Sequence, residues 1–190
     1  MHRRTVFVCC ILASIWAVGA VGAAPQIPAN RDPQFNASIN PKFNAAINPN
    51  FNASINPKYN ASLNPKFNAS INPTYNASLN PKFNASINPK FNASLNPEFN
   101  ASINPTNGRW TGLFLFGLDA KPVGVFVLVN RAFVNCFALS GSWIGYAASD
   151  GSNGLNIFNL EGDWIGYLRN NSAAGLNEFD LDGEWVGFAS

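Results

Sequence analysis

The sequence predicts an all-β C-terminal domain of four 21-residue β-hairpin repeats, preceded by an extended, low-complexity region of octapeptide repeats. Three observations predict it. Near-copies of "FNASINPK" run head to tail nine times from Phe35 to Thr106. A second motif, "FALSGSWIGY" from Phe137, returns as "FNLEGDWIGY" from Phe158 and "FDLDGEWVGF" from Phe179, which is a period of 21. Between the two, after "NGRW", proline nearly disappears while glycine, tryptophan and valine rise. The division that follows is 1–23 signal peptide, 24–34 short linker, 35–106 octads forming a stem, and 107–190 hairpin domain.

The leading segment carries Arg3 and Arg4, an apolar run from Val6 to about Val18 and small residues from Ala20 to Ala24, the three parts of a secretory signal. The run is short for a membrane span, and no later segment approaches about 20 uninterrupted apolar residues. The expectation is a secreted, extracellular chain with no membrane span after cleavage. Cleavage removes His2, Cys9 and Cys10, leaving Cys136 as the single thiol. An odd cysteine in a secreted chain is either buried or paired with another chain, so Cys136 is a candidate for an intermolecular disulfide and a linked dimer. Of twelve Lys and Arg, Arg3 and Arg4 leave with the signal, so ten remain against ten Asp and Glu. The signs are separated: residues 31–106 hold six basic and two acidic side chains, residues 107–190 four and eight. Neither half has the dense basic patch that nucleic-acid binding needs.

Each octad reads aromatic-Asn-Ala-Ser-Ile/Leu-Asn-Pro-x, so apolar and polar residues alternate with the period of a strand. Proline every eight residues from Pro41 to Pro105 excludes a helix, and Asn-Pro initiates turns. Two pictures stay open: turns joined by short extended pieces, or strands that fold back at each Asn-Pro. Alternation places Phe83, Ala85, Ile87 and Pro89 on one side and Asn84, Ser86, Asn88 and Lys90 on the other. Ile and Leu alternate from Ile55 to Ile103, a 16-residue unit that fits the size of a duplicated segment. "NAS" fits the N-glycosylation acceptor pattern at Asn36, Asn52, Asn60, Asn68, Asn76, Asn84, Asn92 and Asn100, and "NNS" adds Asn170. The second copy reads "NAA". A purely structural reading, in which Asn and Ser bond the local backbone, competes with glycosylation.

In the second half, Ser140-Gly141, Glu161-Gly162 and Asp182-Gly183 read as two-residue hairpin turns, and Asp119-Ala120 departs from the pattern. A two-residue turn makes Phe158 face Ile165 and Asn156 face Tyr167, with Leu160 on the same side, and this is the predicted core face. Ile157, Asn159, Trp164 and Gly166 fall on the opposite face. The pattern resembles the four-fold β-flower domain, a small family of four successive hairpins with glycine-containing turns and a hydrophobic-Gly step after each. The resemblance covers about residues 114–190 and implies four hairpins sharing one core; it brings no activity and no catalytic residue.

The chemistry on offer is sparse. Without histidine, the remaining acids mostly flank turns, where Asp is selected for backbone reasons. Phosphate loops, nucleophile elbows and zinc spacings are lacking, so the expectation is a non-enzymatic protein with no cofactor and no metal site. Trp143, Trp164 and Trp185, with Asn159 and Asp180 beside them, are the candidate ligand-binding face, because flat rings next to polar groups hold sugars; packing against a neighbouring hairpin is the structural alternative. The sequence therefore reads as a secreted glycoprotein whose stem and small β domain serve binding or assembly. Its alternatives are a carbohydrate-binding or defence effector and a structural matrix or coat protein. Expected partners are glycans or extracellular proteins, or copies of the chain itself.

Overall fold

The computed structural model describes residues 26–107, 110–172 and 175–190. The expected signal segment and cleavage site lie outside the described residues. The C-terminal part is all-β. Eight antiparallel strands follow one another around a closed barrel: β1 (Gly112–Gly117), β2 (Pro122–Asn130), β3 (Phe133–Ala138), β4 (Trp143–Ser149), β5 (Gly154–Phe158), β6 (Trp164–Asn170), β7 (Leu176–Phe179) and β8 (Trp185–Ala189). Pairing of Phe116 with Phe188 closes the ring between β1 and β8, so the sheet has no free edge.

The tight turns differ from the expected two-residue type. At the β5–β6 turn the Asn159 amide donates to the Asp163 carbonyl at 3.0 Å and the Gly162 amide to the Asn159 carbonyl at 3.1 Å. That is a three-residue loop, a type I turn closed by a residue in the left-handed region, with Gly162 at φ +83°. Gly141 and Gly183 repeat it at φ +85° and +82°, and Ala120 fills the same place at φ +62°. The extra residue produces a bulge in each hairpin, between Ile157 and Phe158 in this one, so Phe158 pairs with Trp164 rather than Ile165. The slip carries Trp164 to the face that holds Phe158, while Ile165 and Leu160 are left largely exposed.

The octads are a run of tight turns lying against the barrel, not an extended stem standing away from it. Each octad makes two turns, one led by each asparagine. In the third copy the Asn52 Oδ1 accepts from the Ser54 amide at 3.1 Å, and the Asn56 Oδ1 accepts from the Lys58 amide at 2.9 Å. The other end of each amide reaches the preceding octad: Asn52 Nδ2 donates to Ala46 O at 2.7 Å and Asn56 Nδ2 to Pro49 O at 2.8 Å. Both asparagines thus cap a turn and tie it to its predecessor, which is why each copy carries two. Proline follows the leading asparagine as the second residue of the second turn, where its fixed φ is already correct.

Alternation therefore misassigned the octad faces. Ile55, Asn56 and Pro57 are buried, whereas Phe51, Ala53 and Ser54 are exposed. The buried side lies on the outer surface of the barrel. Ile103 packs with Phe114, Phe116, Val125, Val127, Phe137 and Phe188, and Leu95 with Phe133, Tyr146, Ala148 and Phe158. A third cluster, Leu115, Phe126, Cys136, Ala147, Ile157, Leu168 and Ala189, contains no octad residue and is the barrel interior. The face carrying Phe158, Asn156 and Tyr167, expected to meet in one shared core, is thus the outside of the barrel, covered by the octads. Both faces of the sheet are buried, one against itself and one against this belt.

Candidate functional site

The belt is held in register by barrel side chains that donate into its carbonyls. Asn135 Nδ2 donates to Leu95 O at 2.9 Å, Asn156 Nδ2 to Ile71 O at 3.0 Å and Asn177 Nδ2 to Ile47 O at 3.0 Å. Along the barrel these donors are spaced by 21 residues, and along the belt their acceptors are spaced by 24, which is three octads per hairpin. The same vernier joins the surface charges: Lys58 pairs with Glu184 and, 24 residues on, Lys82 pairs with Asp163, 21 residues earlier in the barrel. One step further, Thr106 lies beside Gly141 in the turn whose matching residue is Ser142, so cation and acid are both missing together. In the first hairpin the matching turn residue is Lys121, and the belt residue there is the neutral Gln34, whose Nε2 donates to Ala120 O at 3.5 Å. The belt crosses β7, β6, β5 and β3 in that order, opposite to the strand order.

The first hairpin has Phe114 where the others have asparagine. It lies where the belt begins. The Arg31 guanidinium sits 5.2 Å over the Phe114 ring and donates to the carbonyls of Gly112 and Ser190, and burial pushes its pKa down. A further clasp is fully buried. Arg169 donates through Nε to Leu63 O at 2.8 Å and through Nη1 to Asp150 Oδ2 at 2.7 Å, with its guanidinium 4.7 Å over the Tyr167 ring. Desolvation lowers the Arg169 pKa, and the Asp150 carboxylate opposes that shift. Such a pair holds register only while both partners are present.

With its inner side occupied, the belt offers its outer side. Nine aromatic rings, Phe35, Phe43, Phe51, Tyr59, Phe67, Tyr75, Phe83, Phe91 and Phe99, are 68–77% exposed. Beside them stand the acceptor asparagines Asn36, Asn52, Asn60, Asn68, Asn76, Asn84, Asn92 and Asn100, each half-buried and each the leader of a turn, with exposed serines following. In these eight octads the serine hydroxyl also donates to the asparagine Oδ1, at 2.7 Å for Ser54. The second octad supplies an internal control. With Ala46 in place of serine, the Asn44 Oδ1 still accepts from the Ala46 amide at 3.1 Å and Asn44 Nδ2 still reaches Ser38 O at 2.6 Å. The asparagine bonds of the turn form without the serine hydroxyl, although residues 45–47 make a plain turn where the other eight copies form a short 3-10 helix. Asn170 is exposed at the other end of the barrel and donates to Asn153 Oδ1 at 2.8 Å.

The predicted ligand face is divided among structural tasks. Trp143, Trp164 and Trp185 are half-buried and pack against the clusters beneath the belt; Trp185 Nε1 donates to Gly187 O at 2.8 Å. Asn159 and Asp180 stay within their turns: Asn159 Oδ1 accepts from the Asp163 amide, and Asp180 Oδ1 accepts from the amides of Asp182 and Glu184. Cys136, the candidate for an intermolecular bridge, lies in the barrel interior at 3% exposure, where another chain's thiol does not reach. It keeps its expected place on the side opposite Phe137 and pairs with Gly145, and that side of the sheet is the barrel interior. Among the described residues, no group of three or more His, Cys, Asp or Glu side chains converges as a metal site, and no helix is long and apolar enough to cross a membrane.

Sequence reasoning missed the residues that hold belt to barrel. Asn135, Asn156 and Asn177 share one register position, and a polar residue repeated on an otherwise aromatic face was the available signal. Glu178 was also missed. It replaces the apolar residue of the interior ring Leu115, Cys136 and Ile157, and burial pushes its carboxyl up to about 7. No family model, curated protein or solved structure matches the chain.

Proposed function

We propose that the protein is a secreted, non-enzymatic glycoprotein whose working surface is the outer face of the belt, displayed around the barrel for binding or assembly. The observation that carries the reading is the second octad. It keeps the asparagine hydrogen bonds without serine, so those bonds do not account for serine in the other eight copies, whereas the acceptor pattern requires it. All eight acceptors stand on the belt's solvent side, where a glycan has room, and a glycan there shields rings that otherwise form an unusually large apolar surface. The resemblance to four-fold β-flower domains fits the arrangement of four hairpins and assigns no chemistry to it.

The test is expression of the full chain in a eukaryotic secretory host, with intact mass measured before and after peptide-N-glycosidase. The expected result is a loss of several glycans together with unchanged circular dichroism. Secreted protein at its unmodified mass overturns the glycoprotein reading. The exposed ring of aromatics also favours a second reading, a matrix or coat protein that associates through the belt. Sedimentation of the stripped protein separates the two: concentration-dependent assembly supports the matrix role, and a persistent monomer opposes it.

A further inference from the structure

At the end of the barrel opposite the tight turns, a cavity of about 490 Å³ opens to solvent. Its wall is a ring of four apolar residues, one from each hairpin: Leu113, Val134, Leu155 and Leu176. They point inward, and all four are half-buried rather than closed over. Phe126 forms the wall below them, and Arg131, in the β2–β3 loop, is the one charged residue among the described residues of the rim. Every other basic side chain of the described barrel has an anionic partner, Lys121 with Asp119 and Arg169 with Asp150. Arg131 takes part in no ion pair or hydrogen bond among the described residues.

We propose that this cup binds a single-chain amphiphile, its hydrocarbon tail within the leucine ring and its carboxylate on Arg131. The volume lies within the range of small-molecule sites, about 300–1,000 Å³. An apolar, concave wall with one cation at its mouth selects a ligand of matching polarity: burial of the chain supplies affinity and the guanidinium orients the head. The cup's concavity favours a free chain over the surface of a bilayer. The inference is independent of the octad glycans, because neither the belt's outer face nor any acceptor asparagine of the octads lines the cup; the ninth candidate acceptor, Asn170, stands on its rim.

The test is titration calorimetry of the full secreted protein with decanoate, kept below micelle formation, and with decanol. Decanoate is expected to bind saturably at one site. Arg131→Gln, at an exposed position without contacts to lose, is expected to weaken decanoate by about tenfold while leaving decanol unchanged. Leu155→Trp, which fills the ring, is expected to abolish both, with an unchanged thermal midpoint showing that the barrel is intact. Absence of saturable binding overturns the proposal. So does equal decanoate affinity in Arg131→Gln, or binding that survives Leu155→Trp, which points to the belt's exposed rings instead. Cosedimentation with anionic phospholipid vesicles in place of decanoate binding assigns Arg131 to a membrane surface and overturns the free-chain ligand.

Discussion

The belt and the barrel solve the same problem in opposite ways. The barrel joins its strands by backbone ladders between neighbours in a closed ring, so its backbone polar groups are satisfied by the sheet itself. The belt contains no sheet: its turns are joined by asparagine side chains reaching six or seven residues back. What the belt lacks is a core, and what the barrel lacks is a cover. Phe116, Phe137, Tyr146, Phe158, Tyr167, Phe179 and Phe188 all face outward, yet none is more than 1% exposed. The difference shows that a low-complexity repeat becomes ordered when a second repeat presents a matching surface, here at three octads per hairpin. The 16-residue alternation of Ile and Leu does not divide the 24-residue interval, so it has no counterpart in the barrel and fits a duplication unit better than a structural one.

The strongest way to break this comparison is to separate the two regions. A chain containing only residues 110–190 is expected to lose its fold, because seven buried aromatic rings become exposed at once and each is worth roughly 1.5–3 kcal/mol when buried. Gel filtration and near-ultraviolet circular dichroism read the outcome. A monomer with native-like aromatic signals shows instead that the barrel stands alone and that the belt is an attachment.

Next in size is the buried clasp. Arg169→Met removes the partner of Asp150 and the donor to Leu63, and is expected to cost about 3–5 kcal/mol in urea unfolding. Adding Asp150→Asn to that variant removes the stranded charge and is expected to recover part of the loss. If the single variant costs under about 1 kcal/mol, the Arg169 clasp does not hold the belt.

Much of this was legible in the sequence, and what was not has physical causes. The period of 21 and the glycines at the turns are local, and both survive. The charge separation was visible too, as six basic against two acidic residues in the octad half, but its meaning depends on pairs such as Lys58 with Glu184, far apart in the chain. In the hairpins the bulge moves only Trp164 to the side of Phe158, and Asn156 still pairs with Tyr167 as expected; what failed was which side is the interior. Alternation could not correct the error, since both faces of this sheet are buried. In the octads, strand-like alternation misled because Asn-led turns, not pleats, set the direction of Phe51 and Ile55.

Glu178 sharpens the comparison from inside the barrel. Its pKa is raised, to about 7 against 4.5 for the free group, so the folded state binds the proton more tightly than the unfolded state does. Stability therefore rises as pH falls from about 7 toward 4.5, and the penalty is fully present above 7. The full shift corresponds to about 3 kcal/mol. Because Glu178 keeps some contact with solvent, the expected gain from Glu178→Gln at pH 8 is smaller, about 1–2 kcal/mol. The gain should shrink toward zero near pH 4.5. A variant whose stability advantage is the same at both pH values shows that the carboxyl is solvated.

The smallest effects are expected at the turns, where the barrel departs from its own repeat. Gly162 and Gly183 have left-handed backbones, and a methyl added there comes within 3.4 Å of the Tyr146 hydroxyl or 3.3 Å of the Tyr167 hydroxyl. Ala120 occupies the matching place in the first hairpin, and the residue matching those tyrosines is Phe188, which has no hydroxyl and packs in the same cluster as Ala120. The missing oxygen leaves space for the methyl. Gly162→Ala is therefore expected to cost about 1–2 kcal/mol, from the left-handed backbone and the crowding together. Ala120→Gly relieves a similar backbone cost but gives up about 0.8 kcal/mol of methyl burial, so it is expected to lie within about 0.5 kcal/mol of the parent. Phe188→Tyr should restore the crowding and cost more in the Ala120 parent than in Ala120→Gly. A double-mutant cycle by urea unfolding measures that coupling, and a coupling near zero means that Ala120 and Phe188 were not fitted to each other.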